Sequence, residues 1–323
     1  MSAAWRKSRF TNALRCYASY ALSRCGLVRI SHGPMFVSVE PAAVCQLRCP
    51  ECPVGQKSVQ PSALTRQPLM SSEVWHRTLA EISPYAHTVQ FYFQGEPLLN
   101  NALPQMIAEA HAEGLYTIVS TNAQAMTPEM AEALVSAGLN RIIVSMDGLT
   151  EESYNAYRIG GSLQQCIHAL RYLRTAKDRL HAHTTIELQC LRLRTNEHEW
   201  AELRRTCRSL GADRLTLKTA QLHNYADGHP LMPSDARYSR YIKGKNGCYH
   251  RKPRSKKCLR VWSGCVITTT GEVLPCCYDK AHAHAYGNIM NAHIRELFGN
   301  ERAIAFRSEV LQEKPLICKE CWR

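Results

Sequence analysis

Cys45-Gln46-Leu47-Arg48-Cys49-Pro50-Glu51-Cys52 follows the short apolar run Met35-Phe36-Val37-Ser38-Val39. Three thiols within eight residues, with three and then two residues between them, can turn inward on one loop and hold a single metal centre. A tetrahedral zinc site needs a fourth protein ligand nearby, and the next cysteine, Cys166, lies several elements downstream. The centre is therefore expected to be one protein ligand short. An iron–sulfur cluster suits that shortage, because thiolates are its usual ligands and an iron without one is open to a small molecule.

Around that loop the chain has the means to build a large core. At 323 residues and 45% hydrophobic content it is long enough for one large α/β domain and a smaller one. No stretch approaches 18 consecutive apolar residues, so no membrane span is expected. The fifteen cysteines are odd in number and fall in metal-like clusters, which points to a reducing compartment, the cytoplasm, rather than a disulfide framework. The formal charge of +13 suggests an anionic partner, and ten of the Lys and Arg residues lie between Ala236 and Gly271, where there is no acid. Residues 1–34 form a basic arm with Arg6, Lys7, Arg9, Arg15, Arg24 and Arg29, read as an amphipathic helix packed on the main domain rather than a targeting segment.

From Met35 onward, β-branched runs alternate with helical patterns. Strands are expected at Phe36 to Glu40, Thr88 to Phe93, Tyr116 to Ser120, Arg141 to Met146, Thr184 to Leu191 and Arg214 to Lys218. Helices are expected at Ser72 to Ile82, Leu103 to Glu113, Pro128 to Ala137, Leu163 to Lys177 and Glu197 to Leu210, with Thr127-Pro128 reading as an N-cap and first helical position. Six such alternations imply a parallel α/β sheet with right-handed crossovers. Periodicity leaves open whether that sheet closes or stays open in a flavodoxin-like or Rossmann arrangement. In either case ligands gather beyond the carboxyl ends of the strands.

Those ends carry suitable residues. Gln94-Gly95-Glu96-Pro97 follows the second strand, Ser120-Thr121-Asn122 ends the third, and Ser145-Met146-Asp147-Gly148 ends the fourth. Glycine lets a ligand approach the backbone, and a carboxylate there could bind an ammonium group. Arg158 could anchor a carboxylate or phosphate, though a structural pair with Glu151 or Glu152 is the expected use, and Gln189 is a candidate for a ligand contact on the fifth strand. Tyr92, Tyr154 and Asp279 are candidates for acid–base work by position alone, so no catalytic residue is assigned.

Past residue 222 the rhythm stops. Residues 223–257 read as a basic linker or lid containing Arg251, Lys252, Arg254, Lys256 and Lys257. A new unit at 258–323 opens on Cys258, carries a hairpin around Thr270-Gly271 with Cys276 and Cys277 at its exit, and ends in Cys318-Lys319-Glu320-Cys321. Four thiolates can close a metal site, of zinc or of iron and sulfur.

The Cys-x3-Cys-x2-Cys loop after a first strand resembles the radical S-adenosylmethionine (SAM) superfamily, from Met35 to Arg323. Gly95 and Glu96 match a family Gly-Gly-Glu-Pro segment that binds the methionyl amino group, with Gln94 in place of the first glycine. Ser120, Asn122, Ser145 and Asp147 match segments that line the SAM ribose, and Glu51 stands where the family often has an aromatic residue. The resemblance implies a partial (β/α)6 barrel over residues 35–222. It also implies a [4Fe-4S] cluster on Cys45, Cys49 and Cys52 that cleaves SAM to a 5′-deoxyadenosyl radical. Cys258 to Trp262, the Gly271 to Cys277 hairpin and the final knuckle resemble the Twitch form of the SPASM domain. That likeness implies one auxiliary [4Fe-4S] cluster on Cys258, Cys276 (or Cys277), Cys318 and Cys321, with Cys265 spare. A flavodoxin- or ferredoxin-type electron donor is implied, and the substrate is expected to be anionic, an acidic peptide or a phosphorylated metabolite. The alternative from composition alone is a non-catalytic, zinc-binding, basic nucleic-acid-binding protein.

Overall fold

A computed structural model describes residues 3–56, 67–252, 258–319 and 321. Of the basic lid, Pro253, Arg254, Lys256 and Lys257 lie outside the described residues. The chain divides into two compact units, one of Met1–Val44, Val59–Val119 and Ser255–Arg323, the other of Cys45–Ser58 and Ser120–Arg254.

In the first unit β1 (Phe36–Val39) is buried at its centre and runs parallel to β2 (Thr88–Phe91), with Phe36 opposite Thr88. Next to β2 lies the start of β3 (Tyr116–Thr121), also parallel. Along these strands Val37 and Val39, Val89 and Phe91, and Val119 are fully buried. The expected helix Ser72–Ile82 forms behind a Ser71 N-cap whose hydroxyl accepts from the Val74 amide, and turns Val74, Trp75 and Ile82 inward. On the other side of β1, the C-terminal segment adds β9 (Gly264–Ile267) in parallel register, Phe36 opposite Gly264. From β9 the expected hairpin turns through Thr268 to Gly271 into β10 (Glu272–Leu274), and β11 (Gly287–Asn288) pairs with β10. The helix Glu301–Leu311 closes this segment, and its Arg307 is fully buried, bonded to the carbonyls of Val261, Phe298 and Ala303.

The second unit holds β4 (Arg141–Ser145), β5 (Thr185–Arg192) and β6 (Arg214–Thr219), parallel in that order. The helix Pro128–Ser136 starts where Thr127 and Pro128 place it. Thr150 caps Glu151–Asn155 in a reciprocal pair with Ser153. The long helix Leu163–Arg179 buries Leu163, Cys166, Leu170 and Leu173. The expected helix from Glu197 begins instead as a 3-10 turn, Arg194–Glu199, before the α-helix Trp200–Thr206, because Asn196 bonds back to the Leu193 amide. Past β6, the segment read as a lid forms a small hairpin of β7 (Tyr241–Lys243) and β8 (Tyr249–Arg251).

The expectation of an α/β fold on a parallel sheet therefore holds. Among the described residues no helix is long and apolar enough to cross a membrane.

Candidate active site

The cysteine loop belongs to the second unit, where the segment after β6 supports it from below. Leu47 and Cys49 are buried against Tyr157, Leu193, Leu222 and Tyr241, and Cys45 and Cys52 pack at the margin of the same cluster. All fifteen cysteines are free thiols. The loop is tight: the Cys52 amide bonds to the Cys49 carbonyl at 3.2 Å, and the Arg48 amide to the Ile159 carbonyl at 2.9 Å. A Cβ added at Gly55 would lie 2.7 Å from the Cys49 amide nitrogen, so only glycine lets the chain fold back over Cys49.

Each thiol has its own surroundings. Cys45 Sγ receives the Leu47 amide and the Asn122 side-chain amide, each at 3.4 Å. Asn122, at the end of β3, also accepts from Gln46 Nε2 at 3.3 Å, which ties that strand end to the loop. Burial pushes the Cys49 thiol above its usual value, while the Arg158 guanidinium, with Nη1 at 3.9 Å, works in the opposite direction. Arg158 is held in turn by Asp147, whose carboxylate lies 2.6 Å from Nε. Asp147 is fully buried, and its other oxygen accepts from the Leu191 amide at 2.6 Å.

This overturns the expected pairing of Arg158 with Glu151 or Glu152. Glu151 instead accepts from Asn155 and from the Leu163 amide, and the turn after Tyr157 carries Arg158 across to the strand ends. The expected ribose contact Asp147 is engaged by protein on both oxygens. Ser145 is buried, Ser120 half-buried. Gln189 is half-buried and its side-chain oxygen has no hydrogen-bond partner. Beside it Glu187 is fully buried between Arg141 and Arg214 and is a structural anchor.

In the first unit, Gly95 permits a close backbone approach: an added Cβ would sit 2.1 Å from the Ala42 carbonyl oxygen. The Glu96 amide bonds to the Val44 carbonyl, and its buried side chain caps the turn Pro97–Leu99 by accepting from the Leu98 amide at 3.1 Å. Cys276 is pushed up to about 12, first by burial and then by the neighbouring Cys277, with Cys258 adding to it. Cys277 packs against Phe93, Val266 and Leu274 instead. Cys265 lies in the core of β9, where burial also raises it to about 12. Cys318 is buried, and the Cys321 amide turns back to its carbonyl at 3.3 Å. Among the described residues no three His, Cys, Asp or Glu side chains converge on one point as a single metal ion requires. Of the acid–base candidates, Tyr154 and Asp279 are fully buried and bonded within the fold, Asp279 to the amides of Ala283 and His284, and Tyr92 is exposed.

Two features were missed in the sequence: the Arg158–Asp147 pair beside Cys49, and Glu40, a fully buried carboxyl at the end of β1. An acid closing an apolar strand was the available signal for the second.

Comparison with known proteins decides the family. The profile of the Radical SAM superfamily matches residues 39–203, beginning at the strand that leads into the cysteine loop. The chain belongs to the radical SAM superfamily. A second profile, SPASM, an iron–sulfur cluster-binding domain, matches residues 258–322. Among radical SAM relatives, the chain is 24% identical to an AdoMet-dependent heme synthase of Methanosarcina barkeri, over 91% of this chain and 90% of that protein. It is 28% identical to a PqqA peptide cyclase of Rhodopseudomonas palustris, over 79% of this chain and 70% of the other. Its fold is like that of Streptococcus suis SuiB bound to S-adenosylmethionine, with a TM-score of 0.67, 13% identity, and coverage of 94% and 74% of the two chains. The protein is thus a radical SAM enzyme with a SPASM domain, and [4Fe-4S] clusters and SAM are its cofactors. That membership displaces the zinc-binding nucleic-acid alternative.

Proposed function

We propose that Cys45, Cys49 and Cys52 hold the [4Fe-4S] cluster that binds SAM, and that Cys258, Cys276, Cys318 and Cys321 hold a single auxiliary one. The observation that carries the first assignment is the loop itself: three thiols on one tight turn, two of them met by donors, Asn122 at Cys45 and Arg158 at Cys49. The amides and guanidinium there suit the negative charge of a thiolate-bound cluster. When bound, such a cluster with SAM supplies a 5′-deoxyadenosyl radical for hydrogen abstraction. The chain's own residues orient and shield: Arg158 and Asp147 brace the loop, and the apolar residues Leu47, Leu222 and Tyr241 exclude water beneath it. Asn122, Ser120 and Ser145 are assigned to the nucleoside, and Gly95 and Glu96 to the methionyl end. Asp147 acts through Arg158. Cys276 is preferred over Cys277 because Cys258 bears on it electrostatically, whereas Cys277 packs against Phe93.

The substrate we assign is an acidic peptide, with a phosphorylated metabolite second. Peptide cyclases among the relatives and the acid-free stretch from Ala236 to Gly271 support it. A flavodoxin- or ferredoxin-type donor and a cytoplasmic setting follow from the same reading. The test is anaerobic purification followed by iron and sulfide assay, then incubation with dithionite and SAM. About eight irons per chain and release of 5′-deoxyadenosine are expected. Cys49→Ala should halve the iron and abolish the release, and a chain that cleaves SAM equally well without Cys49 would overturn the assignment.

A further inference from the structure

Helix α1 (Ala3–Arg24) is turned inside out relative to an ordinary surface helix. Its inward face is largely polar: Arg9, Asn12, Ser19 and Ser23 are buried beside Cys16, and Tyr20 packs on Trp262. Its outward face is apolar, with Phe10 63%, Leu14 55%, Tyr17 54% and Leu22 47% exposed. A helix on a soluble core normally does the reverse.

The rotation is fixed by directed bonds. Arg9 donates to the carbonyls of Ser83, Glu113 and Gly114, each at 2.9 Å. Asn12 donates to the carbonyls of Gly33 and Tyr85 and accepts from the Gly33 amide at 2.8 Å, and Cys16 donates to the Trp262 carbonyl at 3.4 Å. Rolling the helix to bury its leucines would strand a guanidinium and these backbone carbonyls, so the apolar stripe is held outward.

Between Phe10 and Leu22, at about 100° per residue, Tyr17, Phe10, Ala21, Leu14, Ala18 and Leu22 span an arc of about 140°, with the half-buried Thr11 the one polar residue inside it. Arg24 borders one edge and Arg15 the other, both exposed. No acid occurs before Glu40. An apolar arc between two basic margins, on a helix too polar to cross a bilayer, has the form of a helix lying in a membrane interface. Paired copies would bring like charges together, which argues against a second copy as occupant.

We propose that the outward face of α1 docks the enzyme on an anionic lipid surface, Phe10, Leu14, Tyr17 and Leu22 entering the headgroup boundary and Arg15 and Arg24 meeting lipid phosphates. The probe is co-sedimentation of the anaerobic holoenzyme with vesicles of phosphatidylcholine alone or mixed equally with phosphatidylglycerol. Binding is expected to the mixed vesicles, weaker at high salt and absent on phosphatidylcholine. Phe10→Ser/Leu14→Ser/Tyr17→Ser should abolish it, and Arg15→Gln/Arg24→Gln should lower the partition coefficient on the order of ten-fold. Both variants should keep the wild-type rate of 5′-deoxyadenosine release, which shows that they fold. No binding to either vesicle, equal binding to both, unchanged binding by the triple variant, or a dimer in solution that the triple variant dissociates would each overturn the proposal.

Discussion

Glu51 Oε1 lies 3.2 Å from His229 Nε2, and its Oε2 accepts the His223 backbone amide at 2.5 Å. The Leu231 amide donates to His229 Nδ1, so in the neutral ring it is Nε2 that carries the proton toward Glu51. A carboxylate one residue before the third cysteine thus clasps the segment after β6 onto the cysteine loop. Its place in the Cys-x3-Cys-x2-Cys motif, where the family often has an aromatic residue, acquires a structural reason. Glu51→Ala removes two bonds to a largely buried carboxylate, and a loss of about 1–3 kcal/mol in stability is expected. Hydrogen exchange should show the amides of His223 to Leu231 opening faster in the variant while the β4–β6 amides are unchanged. Equal protection across both regions would show that the clasp does not restrain the segment.

Asp147 and Arg158 form a buried pair whose removal one partner at a time leaves an uncompensated charge beside Cys49. Breaking such a pair costs about 3–5 kcal/mol, more than deleting both members. Asp147→Ala should therefore destabilise the protein more than Asp147→Ala/Arg158→Met, with a coupling of at least about 1 kcal/mol in the double-mutant cycle. Strict additivity in denaturant titrations would mean that the guanidinium is solvated when Asp147 is gone.

Much of this fold is legible in the sequence. The six strands and their helices are local patterns, and Thr127-Pro128 and Ser71 mark helix starts where they occur. The cysteine loop is legible because its three thiols lie within eight residues. Arg158 was misread because sequence proximity favoured Glu151 and Glu152, whereas its partner is brought by a strand end eleven residues upstream. The pairing of β9 with β1 joins residues far apart in the chain, a contact no local pattern encodes. The close approach of the Ala42 carbonyl to Gly95 is likewise a contact the sequence does not encode.

Gly55 gives a sharper steric prediction. Its missing side chain leaves room for Cys49, and a Cβ there would lie 2.7 Å and 2.8 Å from the Cys49 backbone nitrogen and oxygen. The contact is to backbone, so relief requires the loop itself to shift. Gly55→Ala should lose the first cluster and keep the auxiliary one, leaving about four irons per chain where the wild type holds about eight. Full iron content in the variant would show that the loop tolerates the displacement.

Glu40 sets a pH dependence. Its carboxyl is fully buried, and burial raises it from the ordinary value of 4.5 to about 7, against the opposing pull of His282, the Thr269 and Gln94 amides and Lys280. Between those values the folded chain keeps a proton that the unfolded chain has lost, so stability falls as pH rises through that window and levels off above it. The difference amounts to about 3 kcal/mol at 1.36 kcal/mol per unit. His282 slopes the same way: burial is the largest single effect and lowers it, but the Glu272 hydrogen bond at 3.0 Å together with the charges of Glu272, Glu40 and Asp279 raises it overall. It is retained in Glu40→Gln, so comparing wild type with that variant reads Glu40 together with its coupling to His282. The variant's advantage should grow from near zero around pH 4.5 to about 3 kcal/mol at pH 8. A constant offset across that range in anaerobic denaturation would show that Glu40 is ionised in the fold at every pH tested.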